Sequence, residues 1–221
     1  MMQSQSSAAL IFRNGENKML FRYFTGSLRL FPVVLGLALS AHAQEYRSSM
    51  PAPAYQIYKN MLKLAEKGDH SKIATSLEFL DKIFAQEQHK FSVNIKKEVL
   101  TALDKKQKPE IIKALQKAVF YDIKDIFYTV RNSKQESAKT LKLWLRMAAV
   151  DYELLSPVVK GKSFKTNEEI IKAFNQGTYI LSVEASPLAE EKTTKDIDFT
   201  ALAKVLSGIE ANILTVFPDF K

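Results

Sequence analysis

Beyond Pro53 the chain contains only four glycines, Gly68, Gly161, Gly177 and Gly208, and its apolar residues return every three to four positions. That period places them on one face of an α-helix. It is incompatible with the strict alternation of a half-buried strand. A chain with so few flexible points and so many Lys, Glu, Leu and Ala residues favours helix along most of its length.

The punctuation supports the same reading. A first helix is predicted over 55–67, with Ile57, Met61 and Leu64 on one face and Gly68 free to end it in the left-handed region. Asp69 suits the N-cap of a second helix over 70–88, with Ile73, Leu77, Leu80 and Phe84 as its stripe. A third is expected near 92–105 with Ile95, Val99 and Leu103, and Pro109 opens a long fourth helix running to about Val130. Asn132 and Ser133 mark a break, after which a fifth helix over 136–155 carries Leu141, Trp144, Leu145, Ala148, Tyr152 and Leu155 and stops at Pro157. Residues 158–165 read as a basic loop. Thr166 and Glu169 have the spacing of a capping box for a sixth helix containing Ile170, Ile171 and Phe174. Residues 182–195 read as the longest loop. Asp196 or Asp198 caps a last helix with Leu202, Val205, Leu206, Ile209, Ile213 and Val216. The expected fold is all-α, a single domain at 54–221 built as an up-and-down bundle or orthogonal array of about seven helices.

The first 43 residues have a different character. Arg22 and Arg29 precede an apolar run at 30–39, and Ala41-His42-Ala43 supplies small residues at alternate positions. This order is that of a cleavable secretory signal, for which Met19 offers an alternative start and Gln44 the first mature residue. Ten apolar residues are too few to cross a bilayer, which takes roughly twenty. Residues 44–53, with Pro51 and Pro53, form a linker to the helical domain. The chain is therefore expected to be exported, to the periplasm if the host has a double membrane, with no transmembrane anchor in the mature part.

The chain has no cysteine. An exported domain without disulfides depends on its apolar core, and a chain of this size buries enough surface to do so. The formal charge is +8, but Arg13, Lys18, Arg22 and Arg29 against Glu16 account for three of those charges and leave +5 for the remainder. That mild excess does not point to nucleic acid.

Chemistry-bearing motifs are scarce. Without cysteine there is no thiol nucleophile, and no Gly-x-Ser-x-Gly turn or His-Glu-x-x-His helix is present. Asp69, His70 and Ser71 are adjacent, so they cannot face one another on a helix. His89, beside Phe91, is a conceivable lone haem ligand but shows no partner to orient it. The densest polar cluster is Tyr121, Asp122, Asp125 and Tyr128. Tyr121, Asp125 and Tyr128 fall on one helix face, and Asp151 and Tyr152 repeat the theme on the next helix. Phenol and carboxylate oxygens at such a meeting point suit a hard cation. Lys160, Lys162 and Lys165 around Gly161 form a candidate anion site before a helix N-terminus. The balance favours an exported module that binds a small ligand or another envelope protein, not an enzyme and without a cofactor. The alternative is a metal- or cofactor-binding periplasmic protein using the Tyr/Asp cluster.

Overall fold

A computed structural model of the chain describes residues 54–182 and 197–221, all within one compact unit, Arg47–Lys221. The signal at 1–43, the linker at 44–53, most of the loop predicted over 182–195, and Asp196 as a cap lie outside the described residues. What is described is helical, with no strand among the described residues.

Helix α1 spans Tyr55–Lys67 and ends as its sequence requires: Gly68 takes φ 75°, and its N–H reaches back to the carbonyls of the last turn. Helix α2, His70–Leu77, is capped by Asp69, whose carboxylate accepts from the Lys72 backbone N–H. The long second helix expected over 70–88 is divided. A 3-10 turn at Glu78–Leu80 separates α2 from α3, Asp81–Phe91. The break redirects the chain so that Leu80 stays buried while Phe79 points outward. Ser92, in the left-handed region at φ 57°, closes α3.

Helix α4, Ile95–Lys105, starts at Asn94, whose side chain accepts from the Lys97 N–H. Helix α5, Lys108–Asn132, has Pro109 in its first turn, where a missing N–H leaves no bond unmade. It is the centre of the molecule and packs against α1, α3, α4 and the two helices α6, Ala138–Tyr152, and α9, Phe199–Val216. A helix touched from several sides must be apolar around most of its circumference. Accordingly Ile111, Leu115, Val119, Ile123, Ile126, Phe127 and Val130 are all buried.

Three local expectations are corrected after α6. The helix stops at Tyr152, before Pro157, and Pro157 instead sits in the first turn of a short helix α7, Ser156–Lys162. The basic stretch is thus mostly helix, because proline is as suited to starting a helix as to ending one. The cap of α8, Phe164–Ile180, is Ser163 and not Thr166: the Ser163 hydroxyl accepts from both the N–H and the hydroxyl of Thr166. Ile170 is buried, and Ile171 beside it is exposed.

Helix α9 is capped by Asp198, which accepts from the Ala201 N–H. Among the described residues it is the one helix long and apolar enough to cross a membrane by length and composition. Its stripe of Leu202, Leu206, Ile209 and Ile213 is buried, and its main neighbour is α8. A final 3-10 turn, Pro218–Phe220, returns Phe220 to the core, where its ring stacks on Phe217 with centroids 4.5 Å apart.

Candidate functional site

The tyrosine–aspartate cluster sits on α5, and the face it occupies is covered by the end of α3. Lys90 donates to Asp125 Oδ1 at 2.5 Å, joining the two helices by an ion pair in which the carboxylate is buried. Phe91 lies against Tyr121, with centroids 5.8 Å apart, and meets Tyr128 edge-on at 6.1 Å. Lys124 lies over the Phe91 and Tyr121 rings at 4.7 Å and 5.0 Å, and Lys90 lies 5.3 Å from the Tyr128 centroid. These contacts give two ammonium groups favourable positions on aromatic faces. Tyr121, Asp122 and Asp125 are buried, and Tyr128 is exposed.

One turn before Lys90 stands a residue that sequence reading missed. Glu87 is fully buried, and neither of its carboxyl oxygens has a hydrogen-bond partner among the described residues. Burial, together with the charges of Asp122 and Asp125, drives its pKa well above the ordinary 4.5, and Lys90 opposes this only in part. Burial likewise raises the Tyr121 phenol, helped by Glu98 and Glu87. The available signal was positional. Glu87 follows Leu80, Ile83 and Phe84 at helical spacing, which puts a carboxyl on an apolar face.

Asp151 and Tyr152, at the end of α6, occupy different surroundings. Asp151 is buried. Tyr152 is turned towards α8: its hydroxyl donates to Asn167 Oδ1 at 2.8 Å, and its ring lies 5.8 Å from that of Phe174. Ser156 donates to the same Asn167 oxygen, also at 2.8 Å. Burial pushes the Tyr152 phenol up to about 12. The structure therefore brings Tyr121, Asp125 and Tyr128 together beneath α3 and places Tyr152 with α7 and α8. Among the described residues no group of three or more His, Asp or Glu side chains is arranged to hold a metal ion. His89 is exposed in the last turn of α3, and His70 opens α2.

The three lysines proposed for an anion point to different partners. Lys162 donates to the Val216 carbonyl at 2.9 Å and lies over the Phe217 ring, tying α7 to the end of α9. Lys160 lies 5.7 Å from the Phe164 ring centroid, and Lys165 is 3.8 Å from Glu169 on the same helix. A separate cleft of about 370 Å³ between α4 and α5 is also rich in lysine, including Lys97, Lys105, Lys113 and Lys117. Two of these are already paired, Lys113 with Asp219 at 2.7 Å and Lys117 with Glu98 at 2.8 Å.

Several large apolar side chains stand exposed on α8. Asn167, Ile170, Phe174 and Gly177 form its buried side. Its outer side carries Phe164, Ile171 and Tyr179, which are 55%, 46% and 66% exposed. At about 100° per residue these three fall within a sector of about 80°. Glu168 and Asn175 are exposed in the same sector, and the exposed Lys172 lies just beyond it.

The chain matches no protein-family model, no curated protein and no solved structure.

Proposed function

We propose that the chain is an exported helical binding module that recognises another envelope protein through the outer face of α8. In this reading the signal at 1–43 is removed after Ala43, the linker at 44–53 leads into the helical domain, and the helices form a soluble bundle. The observation that carries the reading is the trio Phe164, Ile171 and Tyr179, large apolar side chains held in the open on one face of a helix whose other face is anchored in the core. Aromatic side chains of this kind supply most of the binding energy where protein surfaces meet. The surrounding charge defines the partner's chemistry. Lys160, Lys165 and Lys172 flank the trio against Glu168 and Glu169, and Lys165 is 88% exposed. An acidic segment with apolar side chains, such as an amphipathic helix of another envelope protein, fits this combination.

The test is a photo-crosslinking residue placed at Ile171 of the full chain, activated in the native host, with the adduct's peptides identified. The expected result is one dominant adduct to an acidic, apolar segment of another exported protein, lost in a folded Phe164→Ser, Tyr179→Ser double variant. The same sample should begin at Gln44. Absence of an adduct, or an adduct unaffected by the double variant, overturns the reading. An adduct to a second copy of the chain replaces it with self-association.

A further inference from the structure

Helix α3 is a short unit between two breaks, the 3-10 turn at Glu78–Leu80 and the left-handed Ser92. It is held down by Ile83 and Phe84 in the core, by the Lys90–Asp125 ion pair, and by Phe91 against the tyrosines of α5. In the middle of this contact surface stands Glu87, its carboxyl closed off from solvent and without a donor on either oxygen among the described residues.

We propose that Glu87 is a proton-operated latch: with its proton the carboxyl lets α3 lie on α5, and loss of that proton releases α3. An ionised carboxylate without hydrogen bonds in a dry interior is among the most costly groups a fold can carry, and the neutral acid is far less so. The groups around it favour the neutral form. From α5, Asp122 and Asp125 contribute negative charge, and Asp125 already occupies Lys90, the nearest ammonium on Glu87's own helix. Tyr121 of α5 adds no positive charge, and Glu98 of α4, which acts on Tyr121, is itself paired with Lys117. Lys124 of α5 is seated over the Phe91 and Tyr121 rings, so ionisation would place a third carboxylate beside Asp122 and Asp125 with Lys90 already paired to Asp125. The strain is relieved by moving α3, whose ends are already free of regular helix, rather than by moving the central α5.

The sign of the effect follows from linkage. The folded-state pKa of Glu87 lies above its unfolded value near 4.5, so the closed form binds more protons than the open form. Closure is therefore strongest below that value and weakens by about tenfold per pH unit until the folded-state pKa is passed, where it levels off. Opening uncovers Ile83, Phe84, Phe91 and Tyr121, so the released state presents new apolar surface.

The test uses the full chain and two readouts, with Glu87→Gln as the neutral isostere and Glu87→Leu should the amide fold poorly. Infrared spectroscopy should show a neutral carboxylic acid band that persists above pH 4.5, the ordinary value of the carboxyl, and is absent from Glu87→Gln. Hydrogen exchange, corrected for the intrinsic pH dependence of the chemistry, should show α3 amides losing protection by about tenfold per pH unit in the wild type. Amides of α9 should change much less, and Glu87→Gln should flatten the dependence in α3. Absence of the acid band overturns the proposal. Equal loss in α3 and α9 also overturns it, because the proton then acts on the whole fold. A band with no pH dependence in α3 overturns it as well, because the buried acid then operates nothing.

Discussion

Asn167 and Glu87 are both buried polar side chains at helix contacts, yet they stand at opposite ends of the satisfaction scale. Asn167 projects from α8 into the junction with α6 and α7, where one oxygen accepts from the hydroxyls of Tyr152 and Ser156, each at 2.8 Å. Glu87 projects from α3 towards α5 and finds carboxylates instead of donors. The same cost of leaving water is offset in the first case and not in the second. A polar group that fixes the geometry of three helices is structural. One that the fold holds under penalty makes its own helix the most easily released.

The largest effect should come from breaking the satisfied side. Asn167→Ala strips the acceptor from two hydroxyls and leaves a small void, and should cost about 3 kcal/mol in urea unfolding. Adding Tyr152→Phe should recover part of that loss, since it removes one of the stranded donors. Simple additivity of the two costs would show that they do not act as one network. Glu87→Gln should move stability in the opposite direction, by a gain of about 2 kcal/mol at pH 7, because it replaces an acid under pressure to ionise with a neutral group of the same shape. The gain should shrink as the pH falls towards 4.5, the ordinary value of the carboxyl, and a loss of stability at pH 7 would remove the contrast between the two sites.

The helices, their caps at Asp69 and Asp198 and the left-handed exit at Gly68 were legible from sequence because each rests on contacts between residues within one turn. The cluster at Tyr121, Asp125 and Tyr128 was legible for the same reason: a helix fixes which residues share a face. What covers that face was not legible. Glu87 and Lys90 come from α3, and their approach depends on the 3-10 break at Glu78–Leu80, for which no glycine or proline stands in the chain. Tyr152 repeats the chemistry of the cluster on the next helix, but its direction depends on where α8 crosses, a property of distant residues.

Two glycines sharpen the comparison further, because they ask how tightly the α6–α8–α9 region is fitted around its polar junction. A Cβ at Gly177 would lie 2.9 Å from Leu145 Cδ2, with Val205 and Leu202 at 3.6 Å and 3.7 Å. Leu145 is buried and has little room to yield. Gly177→Ala should therefore lose stability by about 1 kcal/mol, the net of overpacking against the helix propensity of alanine. Gly208 is the internal control. It lies within α9 on its exposed side, and a Cβ there meets nothing within 4 Å. Gly208→Ala should raise stability by about 0.5 to 1 kcal/mol, since alanine restricts the unfolded chain and touches nothing in the folded one. Opposite signs at the two positions, measured by urea unfolding under one set of conditions, would locate the tight fit at the inner side of α8. A loss at Gly208 as well would mean that the outer face of α9 is covered in solution, and self-association would then be the quantity to measure.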